Sequence, residues 1–276
     1  MASALTRYAL RQLLARLLGE TITGTPSGNV LTVGSFDVAA LSAYQDDYFN
    51  AWWGRFYTGT HKDTTFVVTD FQNPDGNGEK AVIYFEPDLS SAVETGDLFE
   101  LYQDYSPAEM NDAINLAIAM VEEEALQDKV DASIQIAANT YEYNVPAGYT
   151  YIDEVFQESG TADRYSPSSN LIDVRHWRIL HGASPKIWFD NAYANLTVGR
   201  NLRIVGQAIQ EQLTVDTDTC AINQAYILYQ AKANLHFARV DEEGDAHWNK
   251  MKAATSMALD ERRRVRVVAR GKKVRY

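Results

Sequence analysis

The sequence predicts an α+β protein: a helical bundle (N-terminal helix, central helix and two C-terminal helices) that carries two antiparallel β insertions and ends in an extended basic tail. Three observations lead there. Apolar residues recur at helical spacing in residues 3–19, 106–129 and 217–262, whereas the intervening stretches are rich in β-branched, aromatic and turn-forming residues. Amphipathic helices separated by β regions pack most economically against one another, with the β regions protruding. The third observation is charge: the 276 residues carry a formal −12, yet Glu261 to Tyr276 holds eight cations against one anion, so that residues 1–260 carry −19.

Taken in order, residues 1–21 read as the N-terminal bundle helix, with Leu10, Leu13, Leu14, Leu17 and Leu18 on one stripe and Arg7, Arg11 and Arg16 left for the opposite side. Residues 22–105 read as a small β-barrel-like module. In it Thr65–Phe71 and Ala81–Phe85 flank the turn-forming Asn73-Pro74-Asp75-Gly76-Asn77-Gly78. A central bundle helix follows over 106–130. Ser106 and Glu109 make a capping box with Pro107 at the first turn, and Met110, Ile114, Ala117, Ile118, Val121 and Ala125 form its stripe. Residues 131–212 read as a second β-rich, sandwich-like domain, with strands expected near 133–136, 140–146, 151–156, 177–180, 186–189 and 202–205. Residues 213–261 form the C-terminal helices, joined near Glu243-Gly244, and 262–276 the basic tail.

The chemistry of the chain is read mostly from what its motifs lack. There is no run of about 20 apolar residues to cross a membrane and no secretory signal pattern, and a single cysteine, Cys220, has no internal disulfide partner. No Gly-x-Ser-x-Gly elbow, phosphate-cradling glycine loop or His-Glu-x-x-His pair is present. The five histidines, His61, His176, His181, His236 and His247, read as packing or surface residues. Asp216 and Asp218 stand just before a helical stripe, where carboxylates cap helices. Glu122, Glu123 and Glu124 splay around a helix axis and make an acidic face. Tyr44, Tyr48, Phe49, Trp52, Trp53, Phe56 and Tyr57 suit a small core, or alternatively a platform for sugars. The neighbours Asp153 and Glu154 on a strand point to opposite faces and cannot act as a pair. The expectation is a protein without enzymatic activity, cofactor or metal. Its cationic end, Arg262, Arg263, Arg264, Arg266, Arg270, Lys272, Lys273 and Arg275, can reach an acidic protein groove or a nucleic-acid backbone.

Several motifs occur in an order that resembles the neck proteins of tailed bacteriophages. They are Asp46–Trp53 leading to Thr58-Gly59, the strand Phe66–Phe71, the ending Gly96–Leu101, and the helix start Tyr105–Asn115. Tyr141–Pro146 follows, then Gly206-Gln207 before an alanine-containing helix from Asn223 to Phe237. The resemblance implies a head-to-tail adaptor of the virion neck: a homo-oligomeric ring, commonly of twelve copies, that docks beneath the portal protein, continues the channel for packaged DNA, and meets a downstream tail or nozzle protein. It implies no membrane partner. By position, the tail from Arg262 corresponds to the family's portal-inserting extension, which makes its eight cations the expected portal or DNA contacts. The alternative is a tail or baseplate component whose aromatic β module binds host glycans, which requires exposed Trp52 and Trp53 in a shallow groove.

Overall fold

A computed structural model describes residues 4–19, 21–27, 30–73, 80–160, 164–165, 170–190, 195–240 and 245–274. The expected turn at 74–78, the helix junction at Glu243-Gly244, and Arg275 lie outside the described residues. The chain divides into two compact units, each drawn from two stretches of sequence. Residues 1–117 with 213–261 form the first, and 118–212 with 262–276 the second.

The first unit is built around an antiparallel seven-stranded sheet. Its strands are β2 (Thr21–Gly24), β3 (Val30–Thr32), β4 (Ser35–Val38), β5 (Trp53–Phe56), β6 (Thr65–Gln72), β7 (Ala81–Glu86) and β8 (Phe99–Tyr102), in the order β2-β8-β5-β6-β7-β4-β3. Alternation sets its buried face: in β6, Phe66, Val68 and Phe71 are buried, with a bulge between Val68 and Asp70 restoring the phase. Those side chains join Phe36, Phe49, Phe56, Phe85 and Phe99 in one apolar cluster. Ring pairs such as Phe36–Phe99 at 5.0 Å and Phe56–Phe66 at 4.8 Å each add about 0.5–1.5 kcal/mol beyond area burial. At Gly54 a Cβ would sit 2.1 Å from the Phe66 ring, so this strand position has no room for a side chain.

Helices complete this unit. They are α1 (Arg7–Leu18), the body of α2 (Pro107–Ala119), α3 (Gln224–Ala238) and α4 (Asp245–Val265) as far as Glu261. A short ladder ties β1 (Leu5–Thr6) to β15 (Thr219–Cys220). The capping box forms as its sequence dictates: Glu109 N–H donates to Ser106 Oγ at 3.1 Å, and Ser106 N–H to Glu109 Oε2 at 2.7 Å. Thr6 caps α1 and Asn223 caps α3. Lys232 of α3 donates to the Leu17 carbonyl at 2.9 Å, and Asn234 to the Ala113 carbonyl of α2 at 3.2 Å, which fixes α3 against both helices.

The second unit holds two antiparallel sheets over one apolar cluster. One runs β16-β11-β14-β9, from β9 (Gln127–Gln135), β11 (Tyr151–Gln157), β14 (Asn201–Ala208) and β16 (Lys272–Lys273). The other runs β10-β13-β12, from β10 (Glu142–Asn144), β12 (Trp177–Leu180) and β13 (Lys186–Phe189). Ile152, Val155, Leu202 and Ile204 of the first sheet meet Tyr143, Trp177, Ile179, Ile187 and Phe189 of the second. Strands therefore form at the segments whose alternation predicts them.

The predicted helical bundle with two β insertions does not form. Among the described residues, sixteen strands in four sheets outweigh four helices, and each β region carries a core of its own. The helical periodicity is real and α1 does pack on α3, but the β regions are not insertions carried by a bundle: each closes a core of its own, and α1 also buries Arg11 and Gln12 against Glu100 of β8. Helix α4 spans 21 residues and buries only a narrow stripe at His247, Ala254, Ala258 and Val265. The central helix also stops at Ala119 rather than near 130. Three consecutive glutamates at its C-terminal end oppose the helix dipole, and Gln127 already begins β9. Nor is the C-terminal segment simply extended: Arg262, Arg263 and Arg264 belong to the last turn of α4, and Lys272–Lys273 adds to the edge of β11.

Candidate partner-binding surface

The expected contact residues that are described, Arg262 to Lys273, belong to the second unit, and the structure gives them different surroundings. Arg262 forks Glu124 through Nε (3.1 Å) and Nη2 (2.8 Å). That hydrogen bond, outweighing what burial does, together with the charges of Arg262 and Arg266, holds the Glu124 carboxyl below its ordinary range. Glu124 also accepts the Val267 N–H at its backbone carbonyl, at 2.7 Å. Arg263, Arg264 and Arg266 have exposed side chains. Arg270 pairs with Asp128 and stands 4.0 Å from Asp153, and Lys273 lies 3.8 Å from Glu123. Lys272 sits 4.0 Å above the Trp177 ring and donates to the carbonyls of Val174 (2.9 Å) and Trp177, and burial pulls its ammonium pKa down. Arg262, Arg270, Lys272 and Lys273 thus pair within their own unit, and Arg263, Arg264 and Arg266 have exposed side chains near the end of α4.

Asp153 and Glu154 line one wide-mouthed cavity of about 750 Å³ together with Asp173, Trp177 and Lys272. Strand alternation predicts opposite faces for the two acids, but a bulge between Ile152 and Glu154 breaks the phase. Asp173 is engaged by Arg175 at 2.8 Å. Among the described residues no cluster of three or more His, Cys, Asp or Glu side chains could hold a metal ion. The aromatic platform is dismantled: Phe49, Trp52 and Phe56 are buried, and Trp52 packs edge-on to Phe49 at 5.0 Å. Trp53 and Tyr48 remain 36% and 49% exposed, too few for the groove that sugar stacking requires.

Sequence reasoning missed the strongest electrostatic constellation, which lies in the first unit. Arg11, with no exposed surface, donates from Nε to Glu100 Oε1 (3.2 Å) and from Nη1 and Nη2 to Asp216 Oδ1 and Oδ2 (both 3.0 Å). Arg55 of β5 and Arg7 converge on the same Asp216, and Gln12 donates to the other oxygen of Glu100. Burial alone would raise the Asp216 carboxyl pKa, but the hydrogen bonds and charges of Arg11 and Arg55 outweigh it and hold the group well below the carboxylate range. Asp216 is therefore not a helix cap, since Asn223 fills that role. Asp218 instead accepts the Thr214 and Val215 amides at 2.6 and 2.8 Å. The signal was present in α1: Arg11 precedes Leu18 by seven residues, two helical turns, and so falls on the leucine stripe rather than opposite it. This lattice fastens α1, β5, β8 and the 213–218 segment together.

A second missed cluster joins α3 and α4. His236 Nδ1 lies 3.1 Å from the Tyr105 hydroxyl and 3.3 Å from His247 Nδ1. Burial, with the charges of His247, Lys232 and Lys250, pushes the His236 pKa down to about 4.

Compared with known families, residues 88–272, more than half of the chain, match the model described as SU10 adaptor protein. No curated protein matches the chain.

Proposed function

Because the chain belongs to the SU10 adaptor protein family, we propose that this bacteriophage structural protein is a component of the virion neck. In this reading, copies form a ring, commonly of twelve, that docks under the portal, continues the DNA channel and receives the downstream tail or nozzle protein. Its role is to join and to conduct, not to catalyse. The observation that carries the reading is the family match, which spans α2, the body of the second unit, α3 and α4. The charge distribution supports it. A channel wall carrying −19 over residues 1–260 repels the phosphate backbone and lets DNA slide, while cations gathered at one end supply local attachment. Arg263, Arg264 and Arg266 are the side chains assigned to portal or DNA, because they reach solvent from the end of α4 and the link that follows it. Arg275 belongs with them by sequence.

The test is to image the purified protein, weigh it by light scattering, and measure its docking to a purified portal ring across a salt series. The reading expects annular particles with a central hole. Substituting Arg263, Arg264 and Arg266 together by glutamate is expected to weaken docking by about tenfold at low salt, and by less as salt screens the contact. A strictly monomeric protein with no affinity for portal would overturn the reading.

A further inference from the structure

The outer edge of β11 is a slot shaped for one kind of strand. Lys272 and Lys273 pair with Ile152 and Tyr151, and the Val274 N–H donates to the Thr150 carbonyl at 2.8 Å. Val274 itself is 4% exposed and joins the apolar cluster of the unit. Gly271, at φ +76°, lies so close to β11 that a Cβ would stand 2.0 Å from the Ile152 carbonyl oxygen and 2.5 Å from Asp153 Cα. Gln207 holds the approach, accepting the Arg270 N–H at 2.7 Å. The Trp177 ring carries Lys272, while the acids Glu123, Asp128 and Asp153 await the other cations. Cation, glycine, two lysines and an apolar plug are thus each matched by a feature of the slot.

Apart from the buried Val274 and the Lys272 contacts, the same strand is held by a short ladder and solvated pairs. Only two residue pairs join it to β11, and its ion pairs are largely solvated: Arg270 with Asp128 is 53% and 71% exposed, and Lys273 with Glu123 is 43% and 81% exposed. The link from Arg266 to Arg270 is exposed throughout and includes Val267 and Val268, the latter 78% exposed. Charge adds a further argument. Residues 118–212 contain thirteen acids against seven lysines and arginines, whereas 262–276 contain eight cations and no acid. Copies whose bodies repel one another therefore attract wherever the strand of one meets the slot of the next.

We propose that the β11 edge is an interaction site for the C-terminal strand of a second copy of this chain. A free chain seats its own strand, and neighbouring copies in the ring exchange theirs. Exchange remakes every contact of the slot, so it costs little and links each copy to the next head to tail, a heterologous contact that closes a ring. Proximity in the ring supplies the high local concentration that favours the neighbour's strand. Arg263, Arg264 and Arg266 precede the exchanged strand and keep their exposed positions. The inference rests on the ring reading above.

Two single variants, Tyr151→Cys and Lys273→Cys, are mixed in equal amounts, assembled, treated with a short bifunctional thiol reagent and resolved by mass under denaturing conditions. Buried Cys220, also present in the wild-type control, is expected to stay silent. Exchange predicts linked dimers in the ring fraction that involve about half of the Tyr151→Cys chains, the share with a suitable neighbour in a randomly mixed ring. These dimers should be lost when the Lys273→Cys chain also carries Gly271→Ala. The double variant, held dilute as a monomer, should link within itself. Rings in which the double variant links only internally, and the mixed single variants not at all, overturn exchange and leave the ring standing. A sample that light scattering shows to contain no rings overturns both.

Discussion

Asp216 and Asp218 stand two residues apart in a polar segment, and the structure gives them very different weight. Replacing Asp216 by alanine or asparagine removes the carboxylate on which Arg7, Arg11 and Arg55 converge, and leaves Arg11, without exposed surface, facing Glu100 as its remaining charged partner. Taking one partner from a buried ion cluster costs about 3–5 kcal/mol, because the remaining charge loses compensation and regains no water. Asp218→Ala, which removes acceptors for two amides in an exposed turn, is expected to cost much less. Urea unfolding followed by tryptophan fluorescence, with circular dichroism as a second probe to separate the two units, compares the variants directly. The pH dependence gives an independent check. The folded-state pKa of Asp216 lies below its unfolded value, so its contribution is complete above about pH 4 and drains away as the pH falls through the folded pKa. Asp216→Asn should therefore show a flatter loss of stability in acid than the wild type. An Asp216→Ala variant that loses no more stability than Asp218→Ala would refute the assignment of this cluster as the fastening of α1.

Three further expectations follow from buried groups and caps. His236 has a folded pKa of about 4 against an ordinary 6.5, so the unfolded chain binds a proton that the folded one refuses. Stability should fall by about 2 kcal/mol between pH 7.5 and 5, and His236→Phe should flatten that slope in urea titrations. Cys220 is buried and its thiol is pushed up to about 11, so alkylation by iodoacetamide at pH 8 should run roughly a hundredfold slower than for a free thiol, and recover in urea. Ser106→Ala breaks the reciprocal capping box of α2 and should cost about 1 kcal/mol, read as a lower thermal midpoint with unchanged secondary-structure content.

Periodicity, capping chemistry and charge were decided by the order of residues alone. Alternation in Phe66–Phe71 and in Lys186–Phe189 dictates strands wherever one face is buried, Ser106 with Glu109 dictates a helix start, and the sixteen-residue reversal of charge stands in plain view. These signals are local, and local geometry reads them out. Which faces meet was decided only by tertiary structure, because a stripe states that a helix needs a partner without saying which. Hence the bundle that α1, α2, α3 and α4 were expected to form gave way to two β-rich units with separate cores. Likewise Arg11 became the centre of a buried lattice because Glu100 and Asp216, 89 and 205 residues away, were brought to it. The basic end follows the same rule: composition announced its charge, but only the fit of Gly271 against Ile152, Lys272 against Trp177 and Val274 into the core decided how its last residues join β11.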